Sequence, residues 1–246
     1  MKRRWLEEAL ALSGLDDPAL LPRDLQREIS LALPVTIVSE AALSAFRVRS
    51  WLERVGVRHE VADQDRSLHG CLTARAGVGV IFIDDDDPAD EKRFTLAHEV
   101  AHFVLDHVLP RERAMSVFGD AIRPVLDGVR PPTKEEALYS VLNRAQLGLQ
   151  VHLMNRGAQG GISAWPVEES EQKADRLALE IIAPARLVLE RTRKYAPSPS
   201  SVELTQAVQA IVGDFGVPEA AAAAYAELLL GKPRRRRSVL DLIGKP

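Results

Sequence analysis

RFTLAHEVAHFVLDH, residues 93–107, decides how the rest of this chain is read. Just upstream, Asp87 suits an N-cap, Pro88 the first helical position, and Asp90 and Glu91 the positive end of a helix dipole. Ala97, Ala101, Val104 and Val108 recur at i, i+4, i+7 and i+11 and form one apolar face. These signals predict a helix over about residues 88–107. Within it, His98-Glu99-Val100-Ala101-His102 spells H-E-x-x-H. Residues four apart on a helix differ by about 40° in direction and ~6 Å in rise, so both imidazoles can converge on one ion. Neutral imidazole binds zinc at ~2.0–2.1 Å. Glu99 lies beside the first histidine, where its carboxylate reaches a water rather than the ion. Roughly 0.01 chance matches to this pattern are expected in a chain with 6 histidines, so accident is a poor account of it.

A zinc site with room for solvent needs a third protein ligand. His107 lies five residues beyond His102, about 140° around the helix, and points elsewhere. A metzincin would carry Gly at 105 and His at 108, where this chain has Leu105 and Val108. Glu171 is a better candidate. It opens a predicted helix over about 168–183 that stops before Pro184, and Asp175 shares its face four residues on. One carboxylate can bind metal while the other holds the free N–H of a ligand histidine. An exposed acidic turn, together with Glu168 and Glu169, accounts for the same spacing, so spacing alone leaves both readings open.

With its downstream partner EQKADRLALEIIAP (171–184), the opening stretch resembles the ImmA/IrrE family of metallo-endopeptidases. The family pattern runs from a strand pair into an R-F-T-L-A-H-E-x-x-H helix, then a helix of the form E-x-x-A-[ND]-x-x-A-x-E-L-L-x-P. Arg93, Phe94, Thr95, Leu96, Ala97, His98, Glu99 and His102 match the first part; Glu171, Ala174, Asp175, Ala178, Glu180 and Pro184 match the second. The resemblance covers about residues 57–190. It implies an α+β, zincin-like fold and a zinc-dependent endopeptidase in which Glu171 completes the ligand set with His98 and His102. Asp175 would then hold a ligand histidine and Glu99 would act as the base. It also implies a protein substrate, a helix-turn-helix (XRE-type) repressor cut in a stress response or in mobile-element regulation. The His/His/Glu donor set favours Zn2+ and also accepts Mn2+ or Fe2+. The stretch between His102 and Glu171 is long for the family, which indicates an insertion at about 109–165. A donor for the developing oxyanion is also required, and Tyr139, His152 and Tyr195 are equal candidates.

The 246-residue chain is 46% apolar and 27% charged, an ordinary globular balance. Its net charge of −3 excludes a nucleic-acid coat protein. The charge is uneven: residues 231–246 carry six basic residues against one acid, a net +5, which leaves −8 for the remainder. One cysteine, Cys71, permits no intrachain disulfide and no Cys-rich zinc module, and suits a reducing compartment. Glu7 and Glu8 interrupt any signal-peptide core, and no apolar run approaches the ~20 residues of a membrane helix, so a cytoplasmic protein without a membrane partner is expected.

Three segments are predicted. Residues 1–56 read as helical, with one helix starting near Ser39 as N-cap and carrying Ala41, Phe46, Trp51 and Leu52. Residues 57–195 read as the zincin-like unit. Its strands lie near Leu72 and Val80–Ile83 around an Ala76-Gly77 turn, and its insertion holds one helix marked by Leu138, Val141, Leu142, Ala145 and Leu149. A loop is expected at Gly157–Gly161 and a linker at Pro197–Ser201. Residues 196–246 read as a helical segment, broken at Gly213–Pro218, with a basic tail. That break resembles a helix-turn-helix turn, but residues 220–224 are five alanines where a DNA-reading helix needs Arg, Lys, Asn or Gln. A packing helix is favoured there, and Arg234–Arg237 are the residues left to hold phosphates. A rival class is a non-catalytic protein that sequesters a repressor or toxin, or binds DNA through its C-terminal segment.

Overall fold

The computed structural model describes residues 4–56, 65–143, 145, 147–155, 165–192 and 200–231. Four strands form one mixed sheet: β1 (Val35–Glu40), β2 (Leu68–Arg75), β3 (Val78–Asp84) and β4 (Gln150–Asn155). Their spatial order is β1-β3-β2-β4, with β1 parallel to β3 and both other pairings antiparallel. Strands β2 and β3 are joined by Ala76 and Gly77, at φ 54° and 84°. Two positive φ values in a two-residue loop match the right-handed twist of the flanking strands, and glycine adopts the second without steric cost.

Alternation along the strands gives the sheet two buried faces. Leu72, Ala74, Ile81 and Ile83 face a large core with α4 (Ala89–His102) and α8 (Trp165–Ile182). Leu68, Cys71 and Phe82 face a smaller one with Val48 and Leu52 of α3 (Ala45–Arg54). The uninterrupted apolar run in β3 follows from this two-sided burial. Ala97 and Ala101 of α4 and Ala174 and Ala178 of α8 are fully buried in the same core. Small side chains there let the two helix axes approach closely, bringing polar groups on both helices within reach of one another.

The N-terminal helices α1 (Arg4–Ser13) and α2 (Leu25–Ala32) bury Ala9, Leu25 and Ile29 in that core. Arg23, itself buried, donates to the Ile181 carbonyl at 2.6 Å and the Asp16 carbonyl at 3.0 Å and pairs with Glu28. This ties the entry of the chain to the end of α8. The segment is therefore not all helical: Val35–Glu40 is a strand, Ser39 lies within it, and α3 starts at Ala45 with Ser44 as its cap. Pairing with β3 overrides the helical spacing, because Val35, Ile37 and Val38 bury more apolar surface against the sheet than on a lone helix.

The predicted helix at 88–107 is an α-helix only to His102; Phe103–Val108 is a π-helical turn, and α5 (Leu109–Phe118) continues from it. Pro88, not Asp87, is the N-cap of α4. The buried Asp87 carboxylate instead pairs with His69 Nδ1 at 2.8 Å. The insertion contains α5, a 3-10 turn (Gly119–Ile122), α6 (Arg123–Leu126), α7 (Lys134–Asn143) and β4, so its described residues hold three helices and a sheet strand where one helix was expected. Helix α9 (Ala185–Arg191) follows α8, and α10 (Ser201–Phe215) opens with a Ser200/Glu203 capping box. Gly216 closes α10 in the left-handed conformation, at φ 64°. Helix α11 (Glu219–Leu230) packs on the core through Ala222, Tyr225 and Ala226. The Tyr225 hydroxyl donates to the Ala183 carbonyl at 3.0 Å, at the end of α8. The fold is α+β, in keeping with a zincin-like unit. No helix among the described residues is long and apolar enough to cross a membrane. The GAQGG loop, Tyr195 and the basic tail with Arg234–Arg237 lie outside the described residues.

Candidate metal centre

Helix α4 presents His98 and His102 on one face, and α8 presents Glu171 and Asp175 opposite. Both histidines are buried, at 4% and 2% side-chain exposure. His98 Nδ1 donates to Asp175 Oδ1 at 2.9 Å, and His102 Nδ1 donates to Asp106 Oδ2 at 2.7 Å. With each Nδ1 donating to a carboxylate, each ring turns its Nε2 into the site. The two Nε2 atoms face each other at 3.1 Å. Two ring nitrogens at that distance have either a proton or a cation between them. Glu171 closes the triangle, with Oε2 at 3.3 Å from His98 Nε2 and Oε1 at 3.6 Å from His102 Nε2. A tetrahedral ion with ligands at ~2.0–2.1 Å holds its donors about 3.3–3.4 Å apart, so the three edges suit zinc-like coordination.

His152 of β4 joins this group. Among the described residues, His98, His102, His152 and Glu171 each offer an atom within 4.8 Å of one another. Its Nε2 lies 3.2 Å from Glu171 Oε1 and its Nδ1 3.0 Å from Glu99 Oε2. Its ring stacks on His102 with centroids 3.7 Å apart and planes 23° apart. The sequence offered His152 only as one of three oxyanion candidates. Tyr139, by contrast, sits edge-on to Phe118 at 5.2 Å in a satellite cluster under α7.

Glu99 is fully buried, and its Oε1 has no hydrogen-bond partner among the described residues. A carboxylate so placed has an acceptor position free for a proton-bearing ligand. It fits only because β2 has glycine where the helix crosses. A Cβ on Gly70 would stand 2.5 Å from Thr95 Cγ2 and 3.2 Å from Glu99 Oε1.

The charges respond to one another. Burial works against a charged His98, but its hydrogen bonds to Asp175 and Glu171 and the nearby Glu99 prevail and raise it to about 9. Burial likewise opposes a charged His152; the Glu99 charge, with hydrogen bonds to Glu171 and Glu99, prevails and raises it to about 10. For Glu171, burial is outweighed by hydrogen bonds from three histidines, which hold its carboxyl well below the usual range.

His107 faces away from this group, as its spacing indicates. Its Nε2 accepts the Gly77 N–H at 3.0 Å, and its Nδ1 donates to Gln150 Oε1 at 2.6 Å. Burial lowers its pKa, and a neutral ring with one donor and one acceptor satisfies both bonds. Asp106 is the group that sequence reasoning missed. Its signal was present, four residues beyond His102, in the same spacing that drew attention to Asp175. Cys71 lies in the small core, where burial raises its thiol well above the usual value.

Residues 53–126 match the family model described as Peptidase_M78, the IrrE N-terminal-like domain. The match spans β2, β3, α4 and the π turn, and ends before β4 and α8. No curated protein and no solved structure matches the chain.

Proposed function

We propose that this chain, which carries an IrrE N-terminal-like domain of the Peptidase_M78 family over residues 53–126, is a zinc-dependent endopeptidase acting on a helix-turn-helix repressor. The domain supports a metallopeptidase-like function. The observation that carries the reading is the pair of facing Nε2 atoms, 3.1 Å apart, with the Glu171 carboxylate completing the triangle. His98, His102 and Glu171 would hold the ion, with Asp175 and Asp106 fixing the two imidazoles. An ion there supplies Lewis acidity, polarising a peptide carbonyl and making water more acidic. Glu99 takes the proton of the attacking water and delivers it to the leaving amine. The repressor substrate and the stress-linked setting rest on the family resemblance, and the cytoplasmic setting on the composition.

The test compares parent protein, Glu99→Gln and chelator-treated parent in a lysate containing helix-turn-helix repressors, with new protein N-termini mapped by labelling. The parent should generate new termini within repressors. Glu99→Gln should bind Zn2+ as the parent does and generate none. Equal cleavage by Glu99→Gln removes the mechanism, and cleavage confined to other proteins removes the repressor.

A further inference from the structure

We infer that His152 is a substrate-facing hydrogen-bond donor of this centre and not a fourth ligand to its ion. The inference rests on the metallopeptidase reading above. An imidazole binds an ion in the plane of its ring, along the nitrogen lone pair. The His102 and His152 rings are stacked, with centroids 3.7 Å apart and planes 23° from parallel, so an ion held in the plane of one ring and close to it lies off the plane of the other. His102 points its Nε2 at that of His98, which leaves His152 stacked over the ligand set rather than within it.

Exposure separates the roles further. His152 is 25% exposed, against 4% and 2% for the other two imidazoles, so it is the ring of the cluster that an incoming molecule can touch. Its Nδ1 donates to Glu99 Oε2 at 3.0 Å and its Nε2 to Glu171 Oε1 at 3.2 Å; with a carboxylate acceptor at each nitrogen the ring carries both protons, so Nε2 is a donor. The backbone beneath it is clamped as well. Gln150, on the same face of β4, accepts from His107 Nδ1 and donates to the Asp106 carbonyl at 2.8 Å. The π turn thereby grips β4 two residues before His152. A donor held from both the strand and the base is preorganised to meet an oxygen on which negative charge develops, with no reorganisation at the moment of reaction.

Co2+ loaded into the full chain gives a visible spectrum that reports coordination, and acetohydroxamate serves as the oxygen-donor probe. His152→Ala should keep the cobalt spectrum and lose no more than about a hundredfold in Co2+ affinity, the upper effect of removing a neighbour of a ligand. His98→Ala, which removes a ligand, should lose about a thousandfold. Acetohydroxamate should bind His152→Ala about ten- to a hundredfold more weakly, the effect of one hydrogen bond to a charged group. His152→Gln, which keeps an N–H, should recover part of that loss. A changed cobalt spectrum or a ligand-sized affinity loss in His152→Ala makes His152 a ligand and overturns the inference. Unchanged acetohydroxamate affinity overturns it too. A parent that binds no Co2+, or a His98→Ala variant that binds it as tightly, overturns the metal centre itself.

Discussion

Gly70→Ala tests whether the sheet holds the H-E-x-x-H helix where the site needs it. The new Cβ would lie 2.5 Å from Thr95 Cγ2. Carbon atoms in contact sit about 3.5–4.0 Å apart, so about 1.0–1.5 Å of relief is required. Little is available. Thr95 is 1% exposed in the interior of α4, and β2 is hydrogen-bonded to β3 on one side and β4 on the other. Overpacking of this kind costs about 1–3 kcal/mol. For a chain of this size each kcal/mol shifts Tm by about 2–4 °C, so a drop of about 2–12 °C follows. Thr95→Ser deletes the methyl group that is struck and should partly restore Gly70→Ala. The double-mutant cycle should show coupling of about 0.5–3 kcal/mol. Circular dichroism melts of the four proteins supply these values. A Gly70→Ala protein melting within about 1 °C of the parent, or strict additivity with Thr95→Ser, refutes the close approach of β2 and α4.

Removing either carboxylate behind a ligand histidine, Asp106→Ala or Asp175→Ala, should weaken Zn2+ binding about 10–100-fold by chelator competition. Parent-like affinity in both would show that neither orients its imidazole. The pH response has a defined sign. Folding raises His98 to about 9 and His152 to about 10, above the ordinary imidazole value. A group raised in this way adds stability that is complete below about pH 6.5 and lost as pH climbs through the raised value. The metal-free protein should therefore lose stability from about pH 6.5 to 10. Zn2+ affinity should rise over the same window, because the ion displaces protons from the ligand set. Melts and Zn2+ titrations across that range check both statements, and a metal-free Tm that rises with pH contradicts the first.

Much of this site was legible along the chain because a helix fixes geometry by spacing. Consecutive residues alone set the direction between His98 and His102, so the pair could be read without any knowledge of the fold. The i, i+4 rule placed Glu171 and Asp175 on one face in the same way. Asp106 follows the same rule, although the turn that carries it is a π-helical one. The two-residue turn at Ala76-Gly77 was also local, since positive φ is a property of the turn itself.

Tertiary structure decided what local spacing leaves open. Val35–Glu40 has the residues for either state and became a strand because β3 offered an edge to pair with. Nothing near His152 in the sequence marks it out; it reaches Glu99 because β4 pairs with β2 and Gln150 locks onto the π turn. That Glu171 meets the imidazoles at all depends on Ala97, Ala101, Ala174 and Ala178 letting α4 and α8 pack closely. Spacing within one element is set by covalent geometry and hydrogen bonds between near neighbours. The meeting of two elements is set by the burial of surface contributed from distant parts of the chain.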